Sequence, residues 1–205
     1  MKRSKTPQES FWAGEFGNEY NKRNTDEELR SGNIRLFSRA LKDVSNIESI
    51  IEFGANIGSN ILALKTLLPT TKMSAVEIND EAVLELKKIK ELKIYHDSIL
   101  NIEIENKYDL VLIKIVLIHI NPSMLKKTYG ILYKASKKYI LIAEYYNPTP
   151  VKINYRGNKS RLFKRDFAGE MLDIYEDLKL VKYGFLYHRE PLNSDDINWF
   201  LLEKN

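Results

Sequence analysis

The chain has 205 residues, 32 of them basic and 28 acidic, for a formal charge of +4, and 43% of its residues are hydrophobic. That balance belongs to a folded globular chain and excludes a disordered or strongly polybasic one. With no cysteine and three histidines, the sequence also excludes a disulfide framework, a thiolate metal site and a cysteine nucleophile, and no metal site is expected.

At this length a single domain is expected over 1–205, with an N-terminal helical cover or lid over 1–46 and the core over 47–205. The first ten residues are charged and lack an apolar core, so they do not read as a signal peptide. The longest apolar run, Leu110 to Ile120, is broken by Lys114 and His119 and falls short of the roughly 20 residues that span a bilayer. A cytoplasmic protein without a membrane partner is expected.

In chain order, Phe11 to Asn24 is rich in aromatic residues, and its two glycines do not fit one amphipathic helix. It reads either as a cover for the core or as a lid with Tyr20 and Arg23 pointing inward. Leu36, Phe37, Ala40, Leu41 and Val44 recur at helical spacing. Ser49–Phe53 is a short apolar strand running into Gly54, and 58–68 reads as a helix. Lys72–Glu77 is a second strand. Asp80 is a candidate N-cap for a helix carrying Val83, Leu84, Leu86 and Ile89. Leu92–His96 is a third strand and Tyr108–Lys114 a fourth, apolar enough to be buried on both faces. Pro122 opens a helix to about Lys137, and Tyr139–Glu144 is a fifth strand. Phe167–Leu178 is helical. Leu180–Arg189 and Ile197–Glu203 are two strands with only a polar loop, containing Pro191 and Asn193, between them. Strands alternating with helices predict a parallel sheet covered on both faces, closed here by an antiparallel pair.

Ligands of such sheets bind at the carboxyl ends of the strands. The first strand and its loop read Glu52-Phe-Gly54-Ala-Asn56-Ile-Gly58-Ser-Asn60. A dinucleotide site needs G-x-G-x-x-G, but Asn56 takes the middle place and Ser59 the last, and no P-loop lysine follows. An acid just ahead of the glycines would repel a pyrophosphate. It suits S-adenosylmethionine (SAM), whose ammonium and sulfonium are both cationic. Glu77, at the end of the second strand, is placed to accept from ribose hydroxyls. Asp97, after the third strand, is placed to accept from an adenine amino group, with Ile78 packed on the ring. The competing reading is that these acids only cap helices and line loops.

On the acceptor side, the fourth strand leads into Lys114-Ile-Val-Leu-Ile-His119, and His119 has a pKa range suited to removing a proton from an acceptor. It also reads as a histidine that merely shapes its loop. The segment 151–165 holds Lys152, Arg156, Lys159, Arg161, Lys164 and Arg165 with no acid. Arg156, Lys164 and Arg165 form a candidate anion clamp, whereas Lys159 and Arg161 read as solvated loop residues. Tyr155, Phe163 and Phe167 interleave these charges, so RNA is a competing ligand, disfavoured by the small net charge.

These residues fit a known family. The chain resembles the pseudaminic acid biosynthesis-associated methylases, a subgroup of class I SAM-dependent methyltransferases. The resemblance runs almost end to end through Phe11–Asn24, Glu52–Gly58, Val116-Leu-Ile-His-Ile-Asn-Pro122, Ile140-Leu-Ile-Ala-Glu-Tyr-Tyr-Asn-Pro-Thr-Pro150 and Phe163-Lys-Arg-Asp-Phe-Ala-Gly-Glu-Met171. It implies an α/β fold with a seven-stranded, mostly parallel sheet, a C-terminal antiparallel hairpin and helices on both faces. SAM would be the methyl donor, in a setting of surface-carbohydrate biosynthesis. By match to class I motifs, Glu52, Gly54 and Gly58 would hold the methionine moiety, Glu77 the ribose and Asp97 the adenine. Asn56 replaces the usual middle glycine of the motif. Trp12, Tyr20, Arg23, Asn56, Ile78, Ser98 and Lys114 complete the expected cofactor contacts. Tyr20 and His119 would flank the methyl, and Tyr145, Arg156, Lys164 and Arg165 would meet the acceptor. The expected activity is methyl transfer to an oxygen, or secondarily a nitrogen, of a small anionic or sugar-like molecule. An RNA methyltransferase and a non-catalytic SAM-binding or scaffold protein stand as the alternatives.

Overall fold

The computed structural model describes residues 5–23, 27–190 and 195–205. The side chain of Arg23 and the loop residues Pro191 and Asn193 lie outside the described residues.

Three helices lead the chain: α1 (Pro7–Ala13), α2 (Glu15–Arg23) and α3 (Glu27–Ala40). Helix α1 opens with a reciprocal cap, in which Thr6 Oγ1 accepts from the Glu9 N–H and the Glu9 carboxylate accepts from the Thr6 N–H at 2.7 Å. The chain leaves helical geometry at Gly14, so the aromatic segment is two short helices. That break is why no single amphipathic period fits it.

The core follows as β1 (Ser49–Phe53), α4 (Ser59–Leu67), β2 (Lys72–Glu77), α5 (Asp80–Leu86), β3 (Leu92–His96), β4 (Tyr108–Lys114), α6 (Leu125–Ala135) and β5 (Ser136–Glu144). A hairpin of β6 (Val151–Tyr155) and β7 (Asn158–Lys164) comes next, then α7 (Phe167–Ile174), β8 (Leu178–Leu186) and β9 (Ile197–Lys204). The large sheet has the order β3-β2-β1-β4-β5-β9-β8, with β1 to β5 parallel and β9 and β8 antiparallel. The expected seven-stranded sheet with its terminal antiparallel pair is therefore present.

Side chains alternate across it. From β4, Leu110 and Leu112 join Leu36, Phe37 and Ala40 of α3 and Ile61 and Leu64 of α4 on one face. Val111 and Ile113 join Leu125, Tyr129 and Leu132 of α6 and Phe167 and Met171 of α7 on the other. Strand order reverses between β1 and β4, so a crevice opens above the carboxyl ends of these two strands.

Several local expectations need correction. The cap of α5 is Asn79, whose Oδ1 accepts from the Ala82 N–H at 2.9 Å, and Asp80 begins the first turn. Pro122 opens a short 3-10 turn, and the α-helix starts at Leu125. Strand β5 starts at Ser136, earlier than its apolar run, because Tyr108 and Ser136 already pair. The basic segment is a hairpin rather than a loop. Its turn residues Arg156 and Gly157 have φ of 47° and 79°, the paired left-handed geometry that suits tight hairpins. Its strands were masked by charged side chains on a largely exposed face.

Asn79 also ties the N-terminal helices to the core. Its Nδ2 donates to the Trp12 carbonyl at 3.1 Å and to Asn18 Oδ1 at 2.7 Å, while its Oδ1 accepts from Asn21 Nδ2 at 2.8 Å. Asn79→Ala should therefore cost about 1–2 kcal/mol in urea unfolding, from the lost cap and the stranded amides. Asn79→Asp, which keeps the capping acceptor, should cost less. Equal unfolding midpoints for Asn79→Ala and the parent would contradict this account.

Candidate functional site

The crevice is a cavity of about 670 Å³, within the roughly 300–1,000 Å³ of small-molecule sites. The turn after β1, the ends of β2, β3 and β4, helices α1 and α2, and the tip of the β6–β7 hairpin line it.

The β1 turn is built for close approach. Gly54 has φ 76°, and a Cβ there would fall 2.5 Å from Val116 Cγ2, so only glycine fits. Asn56 is also left-handed, at φ 49°. Its N–H donates to Glu77 Oε2 at 2.7 Å and its Nδ2 donates to Asn21 Oδ1 of α2. The residue in the usual glycine position thus links the turn to the N-terminal cover. Gly58 shapes the start of α4 and packs toward Leu86 and Ile89, outside the cavity lining.

Glu52 is fully buried and does not line the cavity, which corrects its expected direct contact with a ligand. Its Oε1 accepts from Asn60 Nδ2 at 2.6 Å, and Oε2 has no partner among the described residues. Burial raises its pKa from 4.5 to about 7, against the hydrogen bond from Asn60 and the charge of Lys114. Lys114 does line the cavity. Burial lowers its pKa, opposed by Glu52, Asp195 and Glu144.

Glu77 lies at the end of β2 on the cavity wall. Oε1 accepts from the N–H groups of Ile78 and Asn79 at 2.8 Å each, and Oε2 accepts from Asn56. The capping reading is thus correct as far as it goes. Three N–H bonds still leave room among the roughly four lone-pair positions of a carboxylate. Asp97 and Ser98 both line the cavity after β3. Asp97 Oδ1 accepts from the Ser98 N–H at 2.7 Å. The Ser98 hydroxyl is taken up by the Glu9 carboxylate and by the Leu100 N–H, so its role is to dock α1.

At the other end, His119 is buried on the wall. Its Nδ1 lies 2.6 Å from the Arg161 carbonyl, which can only accept, so the proton is on Nδ1 and Nε2 presents a lone pair. Burial pushes its pKa from 6.5 down to about 4, below the range expected from the sequence, so the ring is neutral near pH 7 and a weaker base than a free imidazole. Trp12 packs 4.6 Å from it, Tyr155 packs 5.0 Å from it, and Tyr20 meets Trp12 edge-on at 5.2 Å. Glu144, at the end of β5, holds the loop that carries His119. Its Oε1 accepts from the Val116 and Leu117 N–H groups at 2.8 Å each, and burial raises its pKa to about 7.

The cavity brings together Trp12, Tyr20, Gly54, Asn56, Glu77, Ile78, Asp97, Ser98, Lys114, His119, Tyr145 and Arg156. Of the six basic residues in 151–165, Arg156 alone lines it. Lys164 sits 5.2 Å from the Tyr145 ring centre and is not a lining residue. Arg165 belongs elsewhere, pairing with Glu170 at 2.5 Å beside α6 and α7. Arg165 lies just past the end of β7, in the link that leads into α7. Sequence reasoning gave no role to Asn60, Asn21, Glu9 or Glu144. Their roles depend on contacts between distant elements, and no local spacing signals them.

No protein-family model and no curated protein matches the sequence. Solved structures do match its fold. The Burkholderia thailandensis 1,6-didemethyltoxoflavin-N1-methyltransferase, bound to 1,6-didemethyltoxoflavin and S-adenosylhomocysteine (SAH), aligns with TM-score 0.72 at 12% identity, covering 100% of this chain and 93% of that one. Magnesium protoporphyrin IX methyltransferase from Synechocystis PCC 6803, with bound SAM, aligns with TM-score 0.69 at 10% identity over 100% of both chains. The N-methyltransferase NodS from Bradyrhizobium japonicum WM9, in complex with SAH, aligns with TM-score 0.66 at 13% identity over 89% and 90%. The chain has the Rossmann-like fold of class I SAM-dependent methyltransferases.

The buried acid beneath the β1 turn has a measurable consequence. Glu52 holds its proton more tightly when folded, so its share of stability is greatest below pH 4.5 and is lost as pH rises to about 7. Glu52→Gln keeps an acceptor for Asn60 without the charge. It should melt well above the parent at pH 8, by up to about 3 kcal/mol, and nearly with it at pH 4.5. A stability difference independent of pH would contradict the assignment.

Proposed function

We propose that the chain is a SAM-dependent methyltransferase of the cytoplasm that methylates an oxygen, in preference to a nitrogen, of a small anionic or sugar-like acceptor. One observation carries this reading. A cavity runs from a wall of strand-end acids, backed by buried Glu52, to a neutral histidine whose Nδ1 is held by the Arg161 carbonyl. The acids suit a ligand with a cationic tail and a ribose, and they oppose a pyrophosphate. Asn60 Oδ1, a buried acceptor without a partner among the described residues, and the acceptor positions left on Glu77 fit the donors of such a ligand.

When bound, SAM supplies a methyl group already activated by a sulfonium. The residues then have separate tasks. Glu77 accepts from the ribose, with Asp97 and Ile78 at the adenine end. His119 Nε2 takes the proton of an acceptor hydroxyl, and the Arg161 carbonyl keeps the ring oriented. Arg156 attracts the acceptor's anionic group at the cavity mouth. Trp12, Tyr20 and Tyr155 wall the space, and the helices within 1–46 cover it and keep out water. The sequence resemblance to the pseudaminic acid biosynthesis-associated methylases supports a sugar-like acceptor and a role in carbohydrate biosynthesis.

A screen of phosphorylated, phosphonate and acidic-sugar metabolites with SAM, read as SAH release and as the mass of the methylated product, tests this reading. At least one acceptor should turn over. On that acceptor His119→Ala should lower kcat by about 100-fold or more, with SAH affinity retained. Arg156→Ala should raise the acceptor KM by about 10-fold. Failure to bind SAM or SAH would overturn the cofactor reading, and an unchanged kcat in His119→Ala at every pH would remove the base.

A further inference from the structure

We infer that the outer edge of β8 is where two copies of this chain pair, strand against strand, about a two-fold axis at Tyr183. The cavity plays no part in this, so it stands or falls independently of the proposed activity. β8 is the last strand of the large sheet, and its outer backbone edge has no strand beside it among the described residues. Such an edge is a ready template for another strand, and natural proteins usually blunt it with a short strand, a proline or a lysine. β8 is nine residues long and has no proline. Its Lys182 lies opposite Leu201, on the face that α3 covers, and donates to Asp43 at 2.7 Å, so its charge is already engaged there.

The other face of the edge is apolar and open. Of nine exposed large hydrophobic residues among those described, five lie on β8 or just past it: Leu180, Val181, Tyr183, Phe185 and Tyr187. Tyr183 stacks on Phe200 of β9 at 6.4 Å, and Phe200 meets Tyr146 at 5.9 Å, so an aromatic band runs inward from the edge. Tyr183, Phe185 and Tyr187 are 69%, 48% and 42% exposed. At roughly 150–250 Å² for each such side chain, they leave roughly 300 Å² open. A stable interface takes about 800 Å² per partner, of which roughly 450 Å² is apolar. Leu180, Val181 and Tyr146, each 37–47% exposed, bring the patch to that order.

The strand's own sequence selects a second copy as the occupant. Residues opposite one another in an antiparallel pair share a face. With the axis at Tyr183, that ring meets its own copy and Phe185 lies beside Val181 of the second copy. Lys182 falls opposite Gly184, which has no side chain to oppose it. An axis at Phe185 would instead set Lys182 against His188, a pairing of basic groups. One patch thus supplies both halves of the contact, as a two-fold interface requires.

The chain has no cysteine, so an introduced thiol reports its own pairing. Opposite Cα atoms in an antiparallel pair lie about 4.5–5.5 Å apart, within disulfide range. Under mild oxidation Tyr183→Cys should cross-link to itself at least about 10-fold faster than Leu84→Cys, an exposed position on α5. In analytical ultracentrifugation the parent should dimerise in the micromolar range. Tyr183→Glu should weaken that dimer by about 100-fold or more, with an unchanged circular dichroism spectrum. A parent that stays monomeric throughout that range leaves the edge to some other strand and overturns the self-pairing. A dimer that Tyr183→Glu leaves intact, or equal cross-linking of the two cysteine variants, overturns it as well.

Discussion

Buried carboxylates at the ends of parallel strands hold this site together. Glu52 lies one residue before the end of β1, Glu77 and Glu144 close β2 and β5, and all three are nearly inaccessible to water. Removing a carboxylate from water is costly. Each acid recovers part of that cost by accepting from the segment that follows a strand. Glu52 takes the Asn60 side chain, Glu77 takes three backbone N–H groups, and Glu144 takes the two that begin the turn to His119. The loops around the cavity are thereby fixed by the same groups that make it electronegative.

The N-terminal helices complete the cavity through a second kind of contact. A chain of amides runs from Asn18 through Asn79 and Asn21 to Asn56 in the β1 turn. Glu9 reaches Ser98 after β3, and Gln8 reaches the Ser160 carbonyl of the hairpin at 3.1 Å. Phe11, Trp12 and Phe16 then pack against one another, with Trp12 and Phe16 also facing Tyr155. Neutral amides suit this junction because they need no counter-ion when buried, and each can donate and accept. The cover thus contacts the β1 turn, the end of β3 and the hairpin at once.

The sheet was legible because its signals are local. Five apolar runs alternate with helical periods, and β1, β2, β3 and β4 appear at the bounds their residues suggest. Glu77 and Asp97 were legible as wall residues because strand ends are where such sheets place ligands. Other features were hidden by long-range geometry. Nothing in the spacing of 151–165 distinguishes Arg156, at the hairpin tip in the cavity, from Arg165, which turns to Glu170. Glu52 was found as a site residue, but its depth was not visible. The turn of the chain at Gly54 places Asn60 between that acid and the cavity. Asn56 looked like a departure from a motif and proves to be a link to Asn21, 35 residues away.

The most direct measurement is a crystal structure of the protein grown with SAH. The account predicts the ribose hydroxyls on Glu77, the adenine between Ile78 and Asp97, and the sulfur facing the His119 end of the cavity. An empty crevice above β1 at saturating SAH, or the ligand seated anywhere other than against Glu77, would contradict it.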